Sequence, residues 1–371
     1  MNEEMQLEIV RMRDEENLSW NKIGNALNIS ASKAKYWYDK FITADEEYEK
    51  QEAISKMLES HNNKLKEKEI KESAMYSIIA DRLSEKTKPY NNDNFDIEIK
   101  IPEKNGESDR EIVVHLTDFH LGKKGKIYNK EIAIHSLKKL YSEIVLTFQW
   151  LKILGFNVIS IKIMLGGDIV DGDLLYPGHP NFVDMNVYEQ ISVGFNELRD
   201  MIISLRNNCK IPLDIYHVYG NHGRISKFTT PTNNWDNILY MFLKTNLENL
   251  DGINMHDGFH WFTLVPMLDG ENALLTHGDG INMYQNIPMY GYVQAAMRWR
   301  GSIGDFKYSY IGHFHSPYFM RWNDMQLFIN GQFPTDDDWA KKVVKLQNPP
   351  MQWLQVFSPK GIESQKLVQL I

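Results

Sequence analysis

The sequence predicts an α/β fold over residues 93–371, preceded by a small all-helical segment. Two observations predict it. From "NFDIEIKIP" onward, short β-rich runs alternate with amphipathic helical patterns, the signature of a layered α/β domain. Ahead of that, residues 1 to about 44 carry helical periodicity, and residues 45 to about 92 are dense in Glu and Lys and poor in Gly. The boundaries are therefore placed at 1–44, 45–92 and 93–371. With 371 residues, 43% of them hydrophobic, the chain can bury a sizeable core.

A formal net charge of -8 argues against a surface basic all over for unspecific nucleic-acid binding, though not against a local basic face. Cys209 is the only cysteine, which excludes an intrachain disulfide and a Cys-based zinc site; it reads as a half-buried thiol with no role. The start, "MNEEMQLEIVRMRDEENLSW", is charged and lacks the apolar core of a signal peptide. No stretch approaches the roughly 18 apolar residues of a membrane span. A soluble, cytoplasmic protein with no membrane partner is expected.

Within residues 1–44, "LSWNKIGNALNISASKAKYWYDKF" reads as two short helices around a tight turn. Ser19 is placed to cap the first, whose inner face carries Trp20, Ile23 and Leu27. "LNIS" is the turn, with Ile29 buried in it. Ser30 or Ser32 caps the second helix, and Ala34 and Trp37 point back at the first. The pattern resembles a helix-turn-helix of the kind common in phage and bacterial DNA-binding proteins. The exposed side of its second helix would then present Ser32, Lys33, Lys35 and Tyr36 to DNA. Residues 1–42 hold six Lys or Arg against seven Asp or Glu. That balance is unimpressive for a DNA binder, but the lysines gather on the second helix. A helical module used for assembly is the alternative. Residues 45–92 read as a charged helical linker, with self-association through its thin apolar stripes as the minor reading.

From residue 111, apolar runs end in metal-capable side chains. "EIVVHLTDFH" ends in Asp118 and His120, and "VISIKIMLGGD" in Asp168. "LDIYHVYGNH" ends in Asn221 and His222, "NALLTH" in His277, and "YSYIGHFH" in His313 and His315. Residues i and i+2 of a strand share a face, so Asp118 and His120 can point the same way, as can His313 and His315. Amphipathic helices separate the first three runs, which makes a parallel sheet, and such sheets gather their sites at the strands' C-terminal ends. His and carboxylate ligands suit Mn, Fe or Zn.

The blocks "DFH", "GGDIVDG", "GNH", "THGD" and "GHFH", in this order, resemble the calcineurin-like metallophosphoesterases over roughly residues 111 to 330. The tail "INGQFPTDDDWAKKV", with "NPPMQWLQVF" after it, looks like a branch found in phages and related to DNA-repair exonucleases. The resemblance implies a four-layer α/β/β/α sandwich with two divalent transition metals, Mn first among them, between its strand ends. Asp118, His120 and His315 would hold one metal. Asn221, His277 and His313 would hold the other. Asp168 would bridge them, and His222 would sit beside the substrate phosphate as proton donor. Metal-activated water would then attack phosphorus in line with the leaving oxygen.

One departure stands out. The family usually continues Gly-Asn-His with Asp or Glu, and here residue 223 is Gly. Asp171 or Asp279 is the expected substitute, and Gly223→Asp is expected to restore part of the arrangement unless residue 223 needs a positive φ. Arg224 reads equally as a clamp on a phosphate oxygen or as a surface Arg near an acidic site. The loop "LLYPGHPNF" should wall the cleft, with its His179 not a ligand, and "MRWRG" and "FMRWN" read as stacking residues or as cover for a core edge. The resulting expectation is a metal-dependent DNA phosphodiesterase or nuclease positioned by the helix-turn-helix. The alternatives are a phosphatase or nucleotide phosphodiesterase on a small or protein substrate, or a catalytically weak DNA-binding or assembly protein. No residue bears on whether an ATPase partner exists.

Overall fold

A computed structural model describes residues 3–40, 82, 109–335 except 177, 227, 259 and 286, and 348–371. The expected helical linker apart from residue 82, the run "NFDIEIKIP" and most of "PTDDDWAKKV" lie outside the described residues. The chain divides into two compact units, Met1–Ala80 and Asp81–Ile371.

The first unit contains α1 (Glu3–Asp14), α2 (Trp20–Ala26) and α3, described over residues 31–40. The sequence reading did not single out α1, yet it supplies Ile9 to the core that Ile23 and Ala34 complete. Tyr38 Oη donates to Asp14 Oδ1 at 2.6 Å and ties α3 to α1. Ser19 occupies the cap position of α2 without a side-chain bond. Ser30 does cap α3, accepting from Lys33 N at 3.2 Å. Ser32, Lys33, Lys35 and Tyr36 are exposed, because α3 spends its apolar face on Ala34 and Trp37.

The second unit is a four-layer α/β/β/α sandwich, as the resemblance implies. The first sheet runs β11-β10-β1-β2-β3-β4. Its parallel centre is β1 (Asp109–Leu116), β2 (Asn157–Leu165), β3 (Leu213–His217) and β4 (Ile253–Met255). β10 (Met351–Ser358) and β11 (Gly361–Gln369) join it antiparallel. The second sheet runs β5-β6-β7-β9-β8, from β5 (Phe262–Pro266), β6 (Asn272–Thr276), β7 (Tyr308–Ile311), β8 (Tyr318–Trp322) and β9 (Met325–Ile329). In it, β6 and β7 are parallel neighbours.

Alternation along the strands explains the layers. Val113, Met164 and Tyr216 of the first sheet meet Ala273, Leu275, Tyr310 and Phe328 of the second between the sheets. Val113, Met164, Leu275 and Phe328 each contribute about 1.5–3 kcal/mol by leaving water. On the outer face of the first sheet lie α4 (Lys130–Ile153), α5 (Val187–Cys209) and α6 (Trp235–Leu247). Their apolar stripes face the sheet: Leu137, Tyr141, Ile144, Phe148 and Leu151 on α4 are buried, with Ile134 of the same stripe half-buried, and Ile191, Phe195, Leu198, Ile202 and Leu205 on α5 are buried. α7 (Pro288–Ser302) covers the second sheet through Tyr292 and Ala296. Trp299 and Trp322 pack against that same core, so the two Arg-Trp stretches cover a core edge. Among the described residues, no helix is long and apolar enough to cross a membrane.

Of the tail motifs, Asn330 and Gln352 form a buried clasp. Asn330 Nδ2 donates to His115 O at 2.7 Å and to Gln352 Oε1 at 2.8 Å, and Thr117 N donates to Gln352 Oε1 at 3.0 Å. These amides join the ends of β1, β9 and β10 and hold the chain that leads into Asp118.

His115 faces the inter-sheet core, edge-on to Tyr310 at 5.4 Å, and neither ring nitrogen has a hydrogen-bond partner among the described residues. Burial lowers its pKa from 6.5 to about 3, against an opposing pull from Asp118. A folded pKa below the unfolded one means the folded state binds fewer protons. This contribution is therefore complete above pH 6.5 and is lost as pH falls toward 3. Between those limits it changes by up to about 1.4 kcal/mol per pH unit. His115→Gln, neutral throughout, should flatten the acid side of the stability profile measured by urea unfolding. An unchanged slope would reject the assignment.

Candidate metal centre

All the predicted ligands follow the C-terminal ends of parallel strands, but not on the strands themselves. β1, β2 and β7 stop at Leu116, Leu165 and Ile311. Asp118, His120, Asp168, His313 and His315 lie just beyond, with φ of 53°, 45°, 50°, 66° and 56°. Those five are half of the ten described non-glycine residues at positive φ, a conformation that concentrates at functional sites. Alternation on a strand is therefore not what orients them, and His313 and His315 part company. His315 joins Asp118 and His120, while His313 joins Asp168 and His277.

The loops are held by backbone bonds that extend the sheets. Asp118 N donates to Gly167 O at 3.1 Å and His120 N to Asp168 O at 2.9 Å. The glycines beside the ligands leave no room for a side chain. A Cβ at Gly220 would stand 2.1 Å from Asp168 Oδ1, and one at Gly312 would stand 2.6 Å from Asp118 Oδ2.

In the first cluster, His120 Nε2 and His315 Nε2 approach to 3.1 Å, and His315 Nε2 lies 3.3 Å from Asp118 Oδ1. His120 Nδ1 is taken by Asp171 Oδ1 at 2.9 Å, which directs Nε2 into the cluster. In the second, His277 Nε2 lies 3.0 Å from Asp168 Oδ2 and 3.1 Å from Asn221 Oδ1, with Nδ1 held 2.9 Å from Gly166 O.

Three observations fit this donor set to cations. Asp168 Oδ2 is buried without an aligned hydrogen bond, although His277 Nε2 is near. Two imidazole nitrogens converge on one carboxylate oxygen, the arrangement of ligands around a shared ion. Third, the field calls for positive charge. Burial opposes a charged His277, but Asp168, then Asp118 and Asp279, outweigh it and raise its pKa to about 10. Asp118 stays ionised down to about 2, since His315 and His277 overcome its burial. Burial lowers His120 to about 4 and His313 to about 3, leaving both in the neutral form that ligates metal.

The acid missing at residue 223 comes from elsewhere. His222 Nδ1 lies 2.9 Å from Asp171 Oδ1, within ion-pair reach though not aligned as a hydrogen bond. Asp171 Oδ2 faces His179 Nε2 at 2.9 Å. His179, set aside as a ligand, is thus a buried partner of Asp171. Its Nδ1 accepts from Leu175 N at 3.3 Å, which places the proton on Nε2. Asp279 is exposed, and Asp171 is the carboxylate that meets His222.

Gly223 is not in the positive-φ region, yet a Cβ there would stand 2.2 Å from Asn234 Oδ1. Asn234 is buried and caps α6, accepting from Asp236 N at 2.9 Å while donating to Gly220 O at 2.7 Å. Gly223→Asp should therefore not raise activity. It should displace the cap, destabilise the fold by about 1–2 kcal/mol, and reduce turnover. Thermal unfolding with a parallel assay checks this, and a more active variant of unchanged stability would refute it.

Sequence reasoning missed Asp236 altogether. Its buried carboxylate accepts from Asp168 N, Ile169 N, Val170 N and Gly220 N at 2.9, 3.1, 3.2 and 2.9 Å. It fixes the Asp168 and Asn221 loops against each other. The only local signal was an Asp in the first turn after an Asn cap, which ordinarily reads as helix capping.

A cavity of about 660 Å³ opens above the clusters, lined by Asn221, His222, His313 and His315 at its base. Leu175, Tyr176, Asn181 and Phe182 wall it, so the Pro- and Gly-rich loop borders the cleft. Arg224 is half-buried, pairs through its backbone with Asn234, and is not among the lining residues described.

No family model and no curated protein matches the chain by sequence. Among solved structures, it is similar to Vps29 complexed with zinc from Entamoeba histolytica, at 9% identity over 70% of this chain and 99% of that one, with a TM-score of 0.33. An archaeal phosphodiesterase is similar at 13% identity over 69% and 99% of the two chains, TM-score 0.32. A predicted phosphoesterase from Streptococcus pneumoniae is similar at 10% identity over 70% and 97%, TM-score 0.29. Scores this low decide nothing about activity; the fold and the convergence of seven predicted site residues stand on the geometry above.

Proposed function

We propose that the chain is a metal-dependent phosphodiesterase acting on DNA. The observation that carries this reading is the pair of ligand clusters, Asp118–His120–His315 and Asp168–His277–His313, with Asn221 beside the second and His222 at the floor of the same cavity. The first cluster would hold one divalent transition metal and the second another, with Asp168 between them. Mn is the first expectation, with Fe and Zn also suited to these donors. Bound there, such ions supply a water of lowered pKa and neutralise charge on phosphorus.

The chain's own groups do the rest. Asp171 orients both His120 and His222, so ligand and proton donor share one anchor. With Nδ1 turned to Asp171, His222 has Nε2 for the cavity and would give its proton to the leaving oxygen. Asn221 and His222 are set by Asp168, whose Oδ1 accepts from His222 N at 2.7 Å. The test is a panel of single-stranded DNA, duplex DNA, cyclic nucleotides, an aryl phosphodiester and an aryl phosphomonoester, each with added Mn. Turnover of the aryl phosphodiester alone would leave DNA out, and turnover of a monoester alone would favour a phosphatase.

The first unit supports DNA as the substrate, as a helix-turn-helix whose second helix exposes Ser32, Lys33, Lys35 and Tyr36. Lys33→Ala with Lys35→Ala should weaken DNA binding and make the logarithmic salt dependence shallower by about two. Aryl phosphodiester hydrolysis should persist, since every proposed ligand lies beyond residue 111. Unchanged DNA binding would favour an assembly role for this unit.

A further inference from the structure

One wall of the cavity has a composition that metal binding does not call for. Lys123, Lys124 and Lys126 line it within four residues of chain, and no Asp or Glu is among its described lining residues, in a chain of net charge -8. Tyr176 and Phe182, 41% and 55% exposed as residues, line the same cavity. Exposed rings at the rim of a polar site present flat apolar faces to whatever enters.

The wall is built rather than loose. Lys124 N donates to Phe182 O at 2.8 Å and Asp184 N to Gly122 O at 2.8 Å, and Lys123 pairs antiparallel with Val183. The lysine loop and the aromatic loop thus form one short ribbon. Gly125 N donates to Tyr128 O at 2.9 Å, and the Tyr128 hydroxyl donates to the carbonyl of Phe119, between Asp118 and His120. Tyr176 stacks on His179 with ring centroids 4.3 Å apart, and His179 is fixed by Asp171. The same carboxylate that orients His222 therefore also anchors the aromatic loop.

Lysines ask for several anionic oxygens, and exposed aromatic faces ask for a flat ring. An unpaired nucleic-acid strand carries both in every nucleotide, whereas a duplex hides its base faces. We propose, resting on the phosphodiesterase reading, that residues 122–126, 175, 176 and 178–182 form a nucleotide subsite. In it, Tyr176 and Phe182 stack a base next to the scissile phosphate, and Lys123, Lys124 and Lys126 hold flanking phosphates of an unpaired strand.

Two esters with one leaving group test the aromatic half: methyl p-nitrophenyl phosphate and thymidine 5′-(p-nitrophenyl phosphate), assayed with the full chain and Mn. Tyr176→Ala with Phe182→Ala should reduce kcat/KM for the thymidine ester about tenfold more than for the methyl ester. Equal losses on both would overturn the base-stacking assignment. For the lysines, the readout is fluorescence anisotropy of a labelled phosphorothioate thymidine decamer. The full chain would also carry Lys33→Ala and Lys35→Ala, so that the first unit does not mask the change. Lys123→Ser, Lys124→Ser and Lys126→Ser together should weaken binding at least tenfold and make the salt dependence shallower by about two, with binding kept in the triple Arg variant. Unchanged affinity and slope would overturn the phosphate assignment. If the wild type hydrolyses neither ester while the lysine variant still loses the decamer, the subsite stands and the phosphodiesterase reading fails.

Discussion

Asp168→Asn is expected to disturb both halves of the metal cluster and to lower metal affinity by about 10²–10⁴-fold, the range that follows from removing one partner of a buried charge pair. The substitution keeps the shape, and Asn Oδ1 still accepts from His222 N, a bond of 2.7 Å in the wild type. What it removes is the negative charge beside His277 and the buried oxygen, Oδ2, that has no aligned hydrogen bond. Phosphodiester hydrolysis should fall with metal content, because Asp118, His120 and His315 alone would not complete a two-ion site. Metal analysis of the purified variant and titration calorimetry with Mn check the expectation. Two equivalents bound at wild-type affinity would show that Asp168 does not serve both clusters.

The candidate ligands were legible because each follows an apolar run; two of them, Asp168 and Asp118, also sit against a glycine whose Cβ would collide with them, Gly220 and Gly312. Their orientation was not. Period-two alternation joins His313 to His315, but both lie past the end of β7 at positive φ, and the backbone there turns them toward different clusters. The supporting carboxylates were harder still. Asp236 binds backbone donors 66 to 68 residues away on the Asp168 loop, and a partner at that separation leaves no periodic trace. Asp171 was visible only as one of two substitutes for the absent acid, since sequence cannot say which of Asp171 and Asp279 faces His222. The sandwich was legible from alternating runs and helices, whereas the part α1 plays in the helical core was not. The one fully buried apolar residue of α1 is Ile9, and Met5, Val10 and Met12 beside it are only half-buried, a weak signal in sequence.

His222→Ala is expected to slow hydrolysis of a substrate with an alkoxide leaving group by about 10²–10⁴-fold, the range of general acid catalysis, and to leave a nitrophenyl ester within about tenfold of wild type. An alkoxide must take a proton as it leaves, and a nitrophenolate need not. Residue 223 supplies no acid, but Asp171 Oδ1 at 2.9 Å supplies the partner from a different loop. Asp168 and Asp171 together raise the pKa of His222 against its burial, which keeps it in the donating form. Alanine retains the backbone N–H that binds Asp168, so the metal loops keep their shape and the two substrates report on the imidazole alone. Asp171→Asn separates the roles further. Asp171 also holds His120 Nδ1 at 2.9 Å, so that variant should lose metal affinity as well as acid catalysis, and should therefore slow both substrates. Losses of equal size on both substrates in His222→Ala would mean that the imidazole positions phosphate rather than donating a proton. The leaving oxygen would then take its proton from water, and Asp171 would matter only through His120.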